Sequence, residues 1–129
     1  MQIHRIYTNQ KGDSVVEIRE VPLFEKQGSV GRPMSDRFTV EEMFFRETPQ
    51  GHVQDFHNAP RRQLIFITSG ILELETSEGK RTICKPGDLL FTEDFEGRGH
   101  ITRSLRDIRG FVHIVVPDSF EITDWPLIN

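Results

Sequence analysis

The sequence predicts an all-β fold, either a sandwich or a barrel, and two observations carry that prediction. Short apolar stretches alternate with period two, and turn residues separate them about every eight to twelve positions. Between residues 38 and 117, no apolar stripe repeats at helical spacing. Because barrels of about eight strands leave room for packed side chains or one small ligand, the fold class also predicts a pocket.

The strands are expected at the segments QIHRIY, SVVEIRE, RFTVEEMFFRET, RQLIFITSG, ILELET, RTIC, LLFTE and GFVHIVVP. The clearest is ILELET, where Leu72 and Leu74 point to one face while glutamates point to the other. Residues 23–37 carry Gly, Pro and Ser, which predicts a long loop or an entry flap. The tail after Pro117 is expected to form a short helical turn capped by Asp118 or Ser119.

Bulk composition places the chain among ordinary globular proteins. Its 129 residues fit a single domain, 1–129, and a net charge of −4 argues against a nucleic-acid partner. The N-terminus lacks the apolar stretch of a secretory signal, and no apolar run is long enough to span a bilayer. Cys84 stands alone, which excludes an intrachain disulfide and a zinc cluster built on several thiolates. A cytoplasmic protein without a membrane partner is therefore expected.

One stretch, GHVQDFHNAPRRQLIFITSG, has the spacing of a known metal-binding motif. Gly51 is followed after five residues by His57, Asn58 and Ala59, then after three residues by Gln63 and after six by Gly70. In this spacing the chain resembles the cupin superfamily, whose first motif has histidine and glutamate where Ala59 and Gln63 stand. A Gly-Asp turn at Gly87–Asp88 and a later histidine, His100, match the second motif, with a loop about two residues longer.

The resemblance covers roughly residues 38–117 and implies a double-stranded β-helix, the cupin or jelly-roll barrel. It also implies a metal site in which His57, Gln63 and His100 would hold a divalent ion such as iron, manganese, nickel or zinc. The ligand set is depleted, because one histidine and the carboxylate are missing. The sequence does not decide between a bound metal and none.

Three further residues are open candidates for the missing ligand. Asp55 shares strand parity with His57 and could supply a carboxylate or orient the imidazole. His113 lies in an apolar strand and could point into the barrel, although a lone histidine there is more often a hydrogen-bonded core residue. His52 is expected in a loop.

Four arginines lie near the predicted site and suggest an anionic ligand. Arg61 and Arg62 follow Pro60 in the turn before Gln63, and Arg98 and Arg103 flank His100. Because a guanidinium matches a carboxylate bidentately, we expect Arg61, Arg62 and Arg103 to bind substrate. The alternative for each is a surface ion pair with a nearby acid.

Three functions remain open from the sequence. The first is a small-molecule enzyme acting on an anionic organic substrate through metal-assisted or histidine acid–base chemistry, with His57, His100 and Arg62 as catalytic residues. Isomerase, cyclase or lyase chemistry fits this ligand set better than dioxygenation. The second is a metal-free binding or sensing module, and the third is a scaffold with a filled barrel. A homodimer is expected, with QIHRIY and SVVEIRE suited to an intersubunit sheet.

Overall fold

The computed structural model describes residues 1–128 and folds them into eight β-strands. They are β1 (Gln2–Thr8), β2 (Ser14–Glu20), β3 (Glu42–Thr48), β4 (Val53–His57), β5 (Gln63–Thr76), β6 (Arg81–Cys84), β7 (Leu89–Glu93) and β8 (His100–Val115). Within this range no helix has the length and apolar character needed to cross a membrane.

Two long strands build the barrel, because β5 and β8 each run through two sheets. The first half of β5 and the second half of β8 pair in a sheet with the order β2-β1-β7-β5-β8-β3. The other halves of β5 and β8 pair with β6 and β4, respectively. All pairings are antiparallel except that of β1 with β7. The predicted all-β, double-stranded β-helix fold is confirmed.

The passage of β5 from one sheet to the other depends on Gly70. Its φ is +76°, a conformation that favours glycine, and the register with β8 shifts around it. A Cβ at this position would lie 2.8 Å from the Cα of Arg109 and 2.8 Å from the carbonyl oxygen of Ile108. Gly70 thus permits both the bend and the close approach of the β8 backbone.

The hydrophobic core has two layers. The first lies inside the barrel and consists of Ile6, Ile65, Ile67, Leu72, Leu74, Cys84, Leu90 and Phe111. The second lies on the outer face of the six-stranded sheet, where Phe91 packs against Val116, Phe120 and Ile122 of the C-terminal segment. The interior layer fills one end of the barrel and leaves the other end to the cavity described below.

The segments SVVEIRE, RTIC and LLFTE are strands with the predicted bounds. RQLIFITSG and ILELET form a single strand, β5, because the bend at Gly70 interrupts the pattern without ending the strand. Similarly, β8 begins at His100, well before GFVHIVVP. Residues 23–37 form a connection with one isolated bridge, Phe24 to Met34. The predicted helical turn after Pro117 is wrong, since the segment up to residue 128 contains hydrogen-bonded turns, a bend and an isolated bridge from Leu127 to Arg19, but no helix.

Candidate functional site

A cavity of about 340 Å³ opens between the two sheets at one end of the barrel. Its polar wall contains His57, Gln63, His100, Arg109 and His113, and its floor contains aliphatic residues of the interior core. This size is within the range of sites that enclose small organic ligands. The polar groups divide into a histidine side near β4 and a cationic side near the end of β3.

His57 and His100 are direct neighbours on the histidine side. They are paired residues of β4 and β8, and their ring centroids are 4.5 Å apart. Gly99 makes this possible, because its φ is +75° and the space of a Cβ there is taken by the His57 carbonyl. The two imidazoles that the resemblance implies as ligands thus lie side by side on the cavity wall.

A buried carboxylate orients His100. Its Nδ1 lies 2.6 Å from Oδ2 of Asp94, which also accepts a 2.6 Å hydrogen bond from the hydroxyl of Ser14. Asp94 is fully buried and His100 is 4% exposed. Because a carboxylate oxygen accepts, Nδ1 of His100 carries the proton and Nε2 retains a free lone pair. This pair has the arrangement by which a carboxylate fixes the tautomer of a catalytic or metal-binding histidine.

His57 is oriented by the backbone. Its Nδ1 donates to the carbonyl oxygen of Asp55 at 2.8 Å, so Nε2 is again the free nitrogen. The carboxylate of Asp55 instead accepts from the amide of Phe56. Asp55 therefore acts on His57 through its carbonyl oxygen, and its carboxylate is engaged elsewhere. Burial lowers the pKa of His57, opposed by that hydrogen bond, so the ring is neutral at physiological pH.

Gln63 and His113 form a second pair on the cavity wall. His113 Nδ1 lies 3.2 Å from Oε1 of Gln63, and its Nε2 is buried without a hydrogen-bond partner. The ring stacks on Phe44 with centroids 4.5 Å apart and planes 5° apart. Burial, with the nearby Arg46 and Arg109, lowers the pKa of His113 to about 4. His113 is thus a neutral imidazole whose free nitrogen can accept a hydrogen bond.

Arg109 is the main charge on the cationic side. It is 5% exposed, its Nε and one terminal nitrogen have no hydrogen-bond partner, and among residues 1–128 no acidic side chain forms an ion pair with it. Its guanidinium lies 4.5 Å from the centre of the Phe111 ring. Burial and the neighbouring Arg46 lower its pKa to about 10, so it remains charged at neutral pH. A buried cation without an anion is costly unless a ligand supplies the charge.

The arginines predicted from the sequence have other surroundings. Arg61 lines the cavity rim, where it pairs with Glu41 and Glu42. Arg62 does not line the cavity, because it pairs with Glu93 and Glu121.

Arg103 lies on the outer sheet face with Glu73 and Glu75, and Arg98 pairs with Asp13. The expected roles of Arg62 as a catalytic residue and of Arg62 and Arg103 as substrate ligands therefore do not match their positions, since both are held by acids outside the cavity.

The donor set falls short of a metal site with three protein ligands. His57 and His100 each present Nε2, but the oxygen of Gln63 already accepts from His113, and no carboxylate replaces it. His52 lies on the cavity rim in the loop before β4, as expected, and is exposed. Of the residues described, the sole group of three or more ligating His, Cys, Asp or Glu side chains lies elsewhere, at the far end of the barrel.

Sequence reasoning missed Asp94, Arg109 and Arg46. Asp94 follows β7 and precedes an extended loop, and only the fold shows that the loop returns it to His100. Arg109 lies in the irregular part of β8, where register shifts defeat any prediction from strand parity. A signal for Arg46 existed, since it alternates with Phe44 on one face of a predicted strand.

No protein-family model matches the chain. No curated protein matches it. Similar solved structures include the DMSP lyase DddQ from Ruegeria pomeroyi, with 22% identity and a TM-score of 0.48 over 61% of this chain and 39% of the lyase. A cupin 2 conserved barrel domain protein from Leptotrichia buccalis has 14% identity and a TM-score of 0.47 over 91% of this chain and 41% of that protein.

A predicted oxalate decarboxylase from Thermotoga maritima has 16% identity and a TM-score of 0.46, covering 89% of this chain and 93% of that one. The strand order, in which β5 and β8 each run through two sheets, agrees with the double-stranded β-helix that the sequence resemblance implies. The strand order of the chain itself carries the fold assignment, and these distant similarities identify no activity.

Proposed function

We propose that this chain is an enzyme that removes a proton from a small anionic organic substrate by histidine acid–base chemistry. One observation supports this above the others: a single cavity is lined both by His100, which the buried Asp94 orients from behind, and by the unpaired cation of Arg109. The first can accept a proton, and the second can hold a carboxylate. Isomerases, epimerases and lyases all use such a step, so the reaction is proposed at that level of detail.

Arg109 would anchor the substrate. Its buried guanidinium offers free donors to a carboxylate, and Arg46 adds positive potential at the same end of the cavity. Phe44, stacked on His113, gives a flat apolar surface against which the carbon skeleton can pack. The free Nε2 of His113 can accept a hydrogen bond from a substrate hydroxyl.

His100 would be the base. Nε2 takes a proton from the carbon next to the substrate carbonyl, and the carboxylate of Asp94 stabilises the imidazolium that results. Ser14 keeps that carboxylate in place through its short hydrogen bond. His57, neutral and adjacent, can return a proton to a different atom once it has received one from His100 or solvent. Proton removal at one atom and return at another is an isomerisation.

A divalent metal on His57, His100 and Gln63 is the second form of this proposal. Such an ion would polarise the substrate carbonyl as a Lewis acid. Two imidazole nitrogens are available to it, and Gln63 would have to share its oxygen with His113. The metal-free step requires no such rearrangement, and we therefore favour it.

The test is hydrogen–deuterium exchange of substrate protons in D2O, followed by proton NMR, with a panel of small carboxylates, hydroxy acids and oxo acids. Wild-type protein should replace one carbon-bound proton of at least one of these compounds with deuterium. His100→Gln and Asp94→Asn should lower the rate about 10²- to 10⁴-fold. Arg103→Gln on the outer face is the matched control and should change it less than about twofold.

Chelator treatment separates the two forms of the proposal. An unchanged exchange rate after dialysis against EDTA supports the metal-free step, whereas loss that added metal restores supports the Lewis-acid form. Binding of a panel member without any exchange would contradict an enzyme and support the alternative, a binding or sensing module.

A homodimer and a cytoplasmic location also remain proposals. The expected contact through β1 and β2 has little free strand edge, because β1 already pairs with β2 and β7 and the C-terminal segment hydrogen-bonds to the outer edge of β2 at Ile18 and Glu20. A better surface is β3, which ends the six-stranded sheet and exposes Met43 and Phe45. Light scattering should give a dimer that Phe45→Glu converts to a monomer, and a wild-type monomer would refute the proposal.

A further inference from the structure

A second group of polar side chains lies at the far end of the barrel from the cavity mouth. His4 comes from β1, Cys84 ends β6, and Asp88 belongs to the turn that leads into β7. One ligand atom from each lies within 4.8 Å of the other two. These residues are far apart in the chain, so only the folded barrel brings them together.

This group is separate from the candidate active site. Ile6, Leu72 and Leu90 line the floor of the cavity and belong to the same buried core cluster as Cys84. Neither His4 nor Cys84 nor Asp88 lines the cavity. A layer of aliphatic side chains thus divides the two groups, and chemistry at one does not require the other.

The three side chains have unmet bonding capacity. Nδ1 of His4 is buried without a hydrogen-bond partner, and Cys84 is a free, fully buried thiol. Asp88 accepts from the Lys85 amide at 2.9 Å and lies 3.4 Å from the Lys85 ammonium. Those contacts fix the turn that carries the carboxylate, and each oxygen keeps a further lone pair. A buried imidazole nitrogen with nothing to bind is unfavourable, and a metal ion at His4 would remove that cost.

We propose that His4, Cys84 and Asp88 bind a zinc-type divalent cation, with one coordination position left for water. Imidazole nitrogen, thiolate sulfur and carboxylate oxygen are the three donor types that zinc takes from proteins. Bond lengths of about 2.0 to 2.3 Å place tetrahedral ligands roughly 3.3 to 3.8 Å apart, so the three atoms need to close by at most about 1.5 Å on binding.

Binding releases one proton. The Cys84 thiol gives its proton to solvent and binds as the thiolate, while His4 binds as the neutral imidazole. Burial raises the pKa of that thiol to about 12, so affinity increases with pH. The ion would tie the N-terminal strand β1 to the β6–β7 turn, and this cross-link stabilises the closed end of the barrel.

Cobalt(II) is the probe, because its charge-transfer absorption in the near ultraviolet reports a thiolate ligand. Cys84 is the only cysteine, so a thiolate–cobalt band can arise nowhere else in the chain. Titration of the wild-type protein should give the band with one equivalent of cobalt, and zinc should abolish it. Cys84→Ser should lose the band, and His4→Gln and Asp88→Asn should each weaken cobalt binding at least about tenfold.

His100→Gln is the matched control and should retain the band at full strength, since a metal at the cavity would have no thiolate. A second measurement guards against unfolded variants: zinc should raise the melting temperature of wild-type protein but not of Cys84→Ser. A folded wild-type protein without the band, or a band undiminished by both His4→Gln and Asp88→Asn, would overturn the proposal.

Discussion

Two arginines of the same strand, β8, have opposite environments. On the outer face of the sheet, Arg103 donates to Glu73 at 2.8 Å and to Glu75 at 2.7 Å. Inside the barrel, Arg109 is 5% exposed and none of the acids in residues 1–128 pairs with it. The outer face balances its charges within the chain, whereas the interior does not.

The difference between Arg103 and Arg109 indicates which of the two charges has a functional role. A complete ion pair at the protein surface, such as that of Arg103 with Glu75, contributes little to stability and needs no ligand. A buried charge without a counter-charge destabilises the free protein, so its presence indicates a site that a ligand completes. Interior positions of this barrel should therefore respond to substitution in a way that outer positions do not.

The largest effect on stability is expected at the bend that carries β5 past Arg109. Gly70→Ala adds a Cβ 2.8 Å from backbone atoms of β8 and forces alanine into a φ of +76°. We expect a loss of about 3 kcal/mol in the free energy of unfolding, measured by urea denaturation. Gly79→Ala is the control, because Gly79 has a φ of +84° but no atom within 4 Å of an added Cβ.

Gly79→Ala should cost only about 1 kcal/mol, the conformational cost alone. Equal losses for the two variants would show that the approach of β8 to Gly70 is not tight. In that case the difference between Gly70 and Gly79 would not support close packing of β8 against β5 inside the barrel.

A pH-dependent effect is expected from the buried histidines. The pKa of His113 is about 4 in the folded protein and about 6.5 when unfolded, so the unfolded chain binds more protons between these values. Stability is therefore fully present above about pH 6.5 and is lost as the pH falls toward 4, by up to about 3 kcal/mol. His4 and His57, whose pKa values burial also lowers, act in the same direction.

Urea denaturation between about pH 7 and pH 4 measures this dependence. His113→Gln should flatten the curve, while the same change at exposed His52 should leave it as in wild type. A His113→Gln curve that parallels wild type would mean that the imidazole is solvated in the folded protein.

The smallest effect is expected on the outer face. A double-mutant cycle with Arg103→Gln and Glu75→Gln should give a coupling of about 0.2 to 1 kcal/mol, as for other solvent-accessible ion pairs. A coupling above about 2 kcal/mol would show that the outer ion pairs contribute as much to stability as interior positions do. The proposed difference between the outer face and the interior would then be wrong.

Most of the fold was predictable because local patterns determine it. Alternation of Leu72 and Leu74 with glutamates, and the turns at Gly79 and Gly87, fix strands that the structure reproduces. The site was only half predictable. The motif spacing indicates that His57 and His100 are close together, and they are, since they are paired residues of the neighbouring strands β4 and β8.

The remaining site residues depend on long-range packing. Asp94 reaches His100 through an irregular loop, and Arg109 turns inward only because β8 changes register near Gly70. A shift of one residue reverses which face a strand residue occupies, so no parity rule could have identified Arg109. Arg62 and Arg103 lie close to the motif residues in sequence, but in the folded chain they pair with acids outside the cavity.

Arg109 tests the central claim most directly, because one substitution should have two opposite effects. The measurement is thermal unfolding of wild-type protein and Arg109→Met, each with and without acetate, malonate or succinate. Without a ligand, Arg109→Met should be more stable than wild type by about 1 to 3 kcal/mol, because the unpaired buried charge is gone. A carboxylate that stabilises wild type should not stabilise Arg109→Met. Arg103→Met should retain the carboxylate effect. An Arg109→Met protein that is less stable without ligand and still stabilised by carboxylate would contradict an anion site in this barrel.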